Sequence, residues 1–104
     1  MFIIEALNGP LDGKRWPFER DICIGRDERL AQASLPTDRA VSRRHAEIRV
    51  ESGELVLADV GSSNGTYVGG QAIAAPVRIE IGQSFRVGTT MLRVLKGTAD
   101  SDEP

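Results

Sequence analysis

Val41-Ser42-Arg43-Arg44-His45 places a hydroxyl, two guanidinium groups and an imidazole within four residues, all able to donate hydrogen bonds to an anion. Two other segments carry similar groups. Gly25-Arg26 follows the apolar stretch Ile22-Cys23-Ile24, and Asp59-Val60-Gly61-Ser62-Ser63-Asn64-Gly65-Thr66 runs through small hydroxylated residues into an Asn-Gly turn. Gly65 suits a positive φ, and Asn64 leaves a side-chain amide free to bond an extended peptide backbone. Each segment alone has an ordinary explanation: a solvated arginine past a strand end, a charged turn, a hairpin. His45, a lone histidine at a strand start, reads as a structural residue bonded to a nearby loop. Taken together, the three segments offer guanidinium groups, hydroxyls and an amide with no carboxylate required among them. That set matches an anion presented on an extended chain.

The elements around these segments are strands. Apolar residues recur at period two, which puts alternate side chains on one face. Ala46 to Val50 and Val77 to Ile81 show it most clearly, and Phe85 to Val87 and Leu92 to Val94 are shorter copies. Phe2 to Leu7, Trp16 to Phe18, Asp21 to Ile24 and Glu54 to Asp59 are further strands, with Ser34-Leu35 and Thr66 to Val68 weaker ones. Turn signals such as Asn8-Gly9-Pro10, Ser52-Gly53, Asn64-Gly65 and Gly69-Gly70 fall between them, and only Arg29 to Ala33 looks helical. The expectation is an all-β, two-sheet antiparallel β-sandwich of about ten or eleven short strands. Loops of such a sandwich cluster at its two ends. Because each polar segment abuts a strand, all three can converge at one apex.

A chain of 104 residues is long enough for one domain and one modest core. Thirteen basic residues face fifteen acidic ones, for a net charge of −2. Three of those acids lie in the last seven residues, leaving residues 1–97 close to neutral. That balance and only five aromatic side chains argue against a nucleic-acid partner. The single cysteine, Cys23, excludes an internal disulfide and reads as a buried strand residue. No apolar run is long enough to span a bilayer and no signal segment opens the chain, so no membrane partner and a cytoplasmic location are expected. No metal-site grouping or Gly-rich phosphate loop is present, and no cofactor is expected. Residues 1–97 form the expected domain, and 98–104 read as a disordered acidic tail or the start of a linker.

The ordered trio resembles the forkhead-associated (FHA) domain, a phosphothreonine-binding β-sandwich of FHA/SMAD-like fold. The family pattern of Gly-Arg, Ser-x-x-His and Ser/Thr-Asn-Gly-Thr appears as Gly25-Arg26, Ser42-Arg43-Arg44-His45 and Ser63-Asn64-Gly65-Thr66. The resemblance covers residues 1–97. It implies that Arg26, Ser42 and Ser63 bind the phosphate, that Arg43 holds the phosphate or the peptide backbone, and that Asn64 pins the peptide main chain. Gly25, His45, Gly65 and Thr66 match positions that hold the loops in shape. Arg39, Ala40, Arg44 and Val68 are candidates for reading the residues around the phosphothreonine. For Arg39 and Arg44 a solvated role stands beside a preference for acidic flanks. The implied partner is a phosphothreonine-containing protein, a serine/threonine kinase or a kinase substrate. Gly69-Gly70 and Gly82-Gln83 depart from the usual Asn-Gly and Gly-Asp turns, which bears on loop rigidity more than on binding.

Two rival readings use the same residues. Gly61-Ser62-Ser63-Asn64-Gly65 formally matches the Gly-x-Ser-x-Gly elbow of serine hydrolases, with Ser63 as nucleophile. Context opposes it: the elbow needs a following helix, and a strand and a turn are expected there, so no catalytic residue is assigned. The other rival keeps the sandwich but recruits a partner through another face, independently of phosphate.

Overall fold

In the computed structural model, which describes residues 1–97, alternating burial along the strands builds two sheets. The strands in chain order are β1 (Phe2–Ala6), β2 (Arg15–Phe18), β3 (Ile22–Gly25), β4 (Ala33–Ser34), β5 (Ala46–Glu51), β6 (Glu54–Asp59), β7 (Thr66–Val68), β8 (Gln71–Ala72), β9 (Val77–Ile79), β10 (Ser84–Val87) and β11 (Thr90–Lys96). The first sheet has the order β2-β1-β11-β10-β7-β8 and the second β4-β3-β5-β6-β9. The inward residues of both meet in one core, where Ile4, Ile24, Ile48, Leu57, Phe85, Val87, Leu92 and Val94 are fully buried. The all-β sandwich expected from periodicity is therefore the fold. The acidic segment 98–104 lies outside the described residues.

Four local expectations need correction. Arg29 to Ala33 is not helical: the Leu30 and Ala31 N–H groups both bond the Asp27 carbonyl at 2.9 Å, closing a single turn, and Ala33 already begins β4. That strand pairs parallel with β3, so the sandwich is not wholly antiparallel. The strand from Val77 stops at Ile79, because Gln83 turns the chain by donating its N–H to the Glu80 carbonyl and accepting the Glu80 N–H on its side chain. Ile81 is left exposed. Cys23 lies on the outward face of β3 and is half-buried, not buried.

Register explains where the polar loops emerge. Ile24 of β3 faces Ala46 of β5, and Ala46 faces Asp59 of β6. With antiparallel neighbours, the end of β3, the start of β5 and the end of β6 therefore lie side by side at one apex.

A carboxylate fastens the same apex to the other sheet. Asp38 accepts hydrogen bonds from the Ala40 N–H, the Thr89 N–H and hydroxyl, and the Thr90 hydroxyl, at 2.7 to 3.0 Å. These bonds tie the segment before Ser42 to the β10–β11 turn. On the outer face of the first sheet, Glu5 pairs with Arg15 on one neighbouring strand and Arg93 on the other.

Leu57 is fully buried at the centre of β6, so Leu57→Ala should destabilise the domain by ~2–5 kcal/mol through lost transfer energy and an unfilled cavity. Urea denaturation of the two proteins measures the difference.

Candidate anion-binding apex

Arg26 leaves β3 at its end, and its backbone is fixed by an N–H bond to the Ser42 carbonyl at 2.9 Å. Its side chain turns over the same loop, where Nε donates to the Val41 carbonyl at 2.9 Å. That bond uses one of the five guanidinium donors and fixes the plane of the fork, leaving both η nitrogens for an outside acceptor. Arg26, Ser42 and Ser63 line one open cavity of about 540 Å³ together with Arg43, Arg44 and Gly61. Among the described residues, Arg26, Arg43 and Arg44 form no ion pair, and all three side chains are exposed. The cavity is thus cationic without an internal counter-charge.

The Ser42 hydroxyl is oriented by the backbone around it. Ser42 Oγ accepts the Ser63 N–H at 3.0 Å, so its own proton remains free to point at an anion. This bond also joins the loop before β5 to the loop before β7.

His45 braces the same two loops from beneath and is fully buried. Its Nδ1 accepts the Ser42 N–H at 3.0 Å, which assigns the proton to Nε2, and Nε2 donates to the Gly65 carbonyl at 2.8 Å. With both ring nitrogens committed to backbone, His45 is not placed to take a proton from Ser63. The segment after Gly65 is the strand β7, not a helix, so the hydrolase elbow lacks its context.

Gly25 has a packing reason. A Cβ there would stand 2.1 Å from the Arg43 carbonyl oxygen, so only glycine lets β3 pass beneath the cationic loop. Gly65 has a conformational one, with φ of +87°, a region that side-chain-bearing residues avoid.

Thr66 and Asp59 complete the scaffold. The buried Thr66 hydroxyl donates to Asp59 Oδ2 at 2.8 Å, and the same carboxylate accepts the Gly61 N–H, the Ser62 N–H and the Ser62 hydroxyl. Burial by itself pushes the Asp59 carboxyl up. The Ser62, Thr66 and Gly61 donors outweigh it and hold the group below its ordinary value of 3.8. For Asp38, burial is likewise opposed by bonds from Thr90, Thr89 and Ala40, and the net direction is again down.

Three expectations from the sequence do not match this geometry. The Asn64 amide is not wholly free: Nδ2 donates to the Ala40 carbonyl at 2.8 Å, leaving one N–H and the side-chain oxygen. Val68 packs against the core and does not line the cavity. Arg39 and Ala40 also lie off the lining; Ala40 is held by Asp38 and Asn64 through its backbone. Sequence reasoning passed over Leu30, which lines the cavity beside Arg43, and the bracing role of Asp38. The Asp27-x-Arg29 spacing hints at the Leu30 turn, but no local signal reveals the reach of Asp38 to Thr89.

A model of the FHA domain matches residues 22–88. The chain belongs to the FHA-domain family. It is 44% identical over 63 residues to the oxoglutarate dehydrogenase inhibitor of Corynebacterium glutamicum, a match covering 61% of this chain but only 43% of that relative's length. Among solved structures, it resembles an FHA domain described under phosphothreonine-dependent FHA-domain interactions, with a TM-score of 0.77, 31% identity, and coverage of 93% of this chain and 97% of that one. It is also similar to the FhaA FHA domain complexed with the intracellular domain of Rv3910, with a TM-score of 0.78, 32% identity, and coverage of 90% and 99%.

Two measurements test this scaffold. Gly25→Ala should displace the Arg43 segment and lower the melting temperature, although Gly to Ala ordinarily stabilises an exposed strand. Acid should also weaken the apex. The Asp59 and Asp38 carboxyls sit below their ordinary value of 3.8, so their stabilisation is complete above that pH and is lost as pH falls through it towards the lower folded values. Thermal melts from pH 7 downward should show this loss, and Asp59→Asn should be less stable at pH 7 with a shallower acid decline.

Proposed function

We propose that this FHA domain binds phosphothreonine-bearing segments of a partner protein and leaves the phosphate chemically intact. Arg26, Ser42, Arg43 and Ser63 act as the phosphate ligands, and the remaining donors and acceptor of Asn64 hold the peptide main chain. One observation carries the reading: the Arg26 fork, locked through Nε to the Val41 carbonyl, lines the same cavity as the Ser42 and Ser63 hydroxyls. A phosphothreonine brings about −1.5 to −2 charges and three acceptor oxygens, and such a cluster of charged and neutral donors is its chemical complement. The phosphate would be written by a serine/threonine kinase, and the partner is that kinase or one of its substrates, met in the cytoplasm. The domain then works as a regulatory adaptor whose engagement is switched by phosphorylation. Ordering a flexible peptide offsets part of the contact energy, so affinity is expected near micromolar, about −8 kcal/mol.

Isothermal titration with matched phosphothreonine and unmodified peptides tests the assignment, with measurable binding expected only for the modified one. Equal affinities would favour the phosphate-independent module instead. Arg26→Lys keeps the charge but loses both the Val41 bond and the planar fork, and should weaken phosphopeptide binding by about tenfold or more. Ser42→Ala should weaken it as well, because the Ser63 N–H loses its acceptor along with the phosphate donor.

A further inference from the structure

The cavity has one apolar wall. Leu30 is among three large hydrophobic side chains exposed among the described residues, at 46% of its surface, and lines the cavity otherwise bounded by arginine, serine and glycine. Of the other two, Ile81 belongs to a cleft elsewhere, beside Phe2 and Leu55.

The turn that presents Leu30 is tightly fastened. The Asp27 carbonyl accepts the Leu30 and Ala31 N–H groups. Its carboxylate accepts the Arg29 N–H at 2.9 Å and pairs with the Arg29 guanidinium at 3.2 Å. The Asp27 N–H donates to the Arg43 carbonyl at 3.3 Å, tying the turn to the cationic loop, and Ala31 is buried beneath it. The backbone of such a turn has little further freedom to lose when Leu30 is covered.

We propose that Leu30 reads an apolar side chain flanking the phosphorylated threonine. This inference rests on the phosphothreonine reading and deepens it. A peptide whose phosphate is clasped by Arg26, Ser42 and Ser63 passes directly beside Leu30, because one cavity contains all four. An apolar flanking residue removes exposed surface on both partners from water, whereas a charged or polar one leaves Leu30 wet or gives up its own hydration. Arg43 and Arg44 offer the competing preference, for acidic flanks, so the two chemistries are separable by experiment.

An oriented peptide library with a fixed central phosphothreonine is selected on the wild-type domain and on Leu30→Ser, followed by titration of the best peptide and its copy carrying serine at the apolar position. The wild type should enrich leucine, isoleucine, methionine, valine or phenylalanine at one flanking position, and the serine copy should bind it roughly three- to tenfold more weakly. Leu30→Ser should bind both copies alike while still requiring the phosphate, and Leu30→Met should restore the preference. Because Leu30 is exposed, the variants should melt with the wild type. Phosphate-dependent binding with no apolar enrichment, or with the same enrichment in Leu30→Ser, overturns the role of Leu30 and leaves the phosphothreonine reading standing. Binding indifferent to phosphate overturns both.

Discussion

A buried imidazole holds two loops of this domain at fixed separation. His45 accepts the Ser42 N–H and donates to the Gly65 carbonyl, so the segment carrying Ser42 and the segment carrying Ser63 are fastened through one ring. Directed bonds of this kind, made away from water, position groups more sharply than loop packing does. The Ser42 hydroxyl adds a third link by accepting the Ser63 N–H. Neither asparagine nor leucine in place of the histidine spans the same two backbone groups, one acceptor and one donor on opposite sides of a flat ring. The contacts above this brace, including the reach of Arg26 to the Val41 carbonyl, inherit their geometry from it.

Charge is arranged on the same plan. Two carboxylates lie near the arginines, and both have partners of their own. Asp27 is engaged by Arg29, whose hydrogen bonds hold it below the ordinary carboxylate range. Asp59 is surrounded by hydroxyl and amide donors from Gly61, Ser62 and Thr66. Each acid therefore uses its acceptor capacity to shape a loop, and the donors of the exposed Arg26, Arg43 and Arg44 guanidinium groups are not drawn into pairing with it. This division separates scaffold from contact more clearly than residue type does, since serine serves in both: Ser62 fastens the loop, while Ser42 and Ser63 face the cavity.

The strands were legible because half-buried strands leave a period of two in the sequence, and Ala46 to Val50 carries it plainly. The apex was legible too: once β3, β5 and β6 are antiparallel neighbours, Gly25, His45 and Asp59 must end together. What periodicity could not show are features shorter than its own repeat. β4 and β8 have two residues each, too few to alternate, and the parallel pairing of β4 depends on contacts outside its own segment. The Asn64 bond to Ala40 and the Asp38 bonds to Thr89 and Thr90 join positions 24 and about 50 residues apart, and no local pattern encodes such reach. Cys23 shows the same limit at one residue, since the alternation of Ile22-Cys23-Ile24 fixes opposite faces but not which loop covers the outer one.

The strand order of the first sheet has a consequence for how the molecule is made. β11 lies between β1 and β10, and pairs with the whole of β1, from Phe2 with Lys96 to Ala6 with Leu92. Among the described strands the ribosome delivers that middle one last, so until then β1 and β10 have no common neighbour and the first sheet is split in two. Pairings between such distant parts of a chain form slowly and late. The Asp38 bonds to Thr89 and Thr90 wait on the same late segment, so the apex receives its fastening to the first sheet last of all.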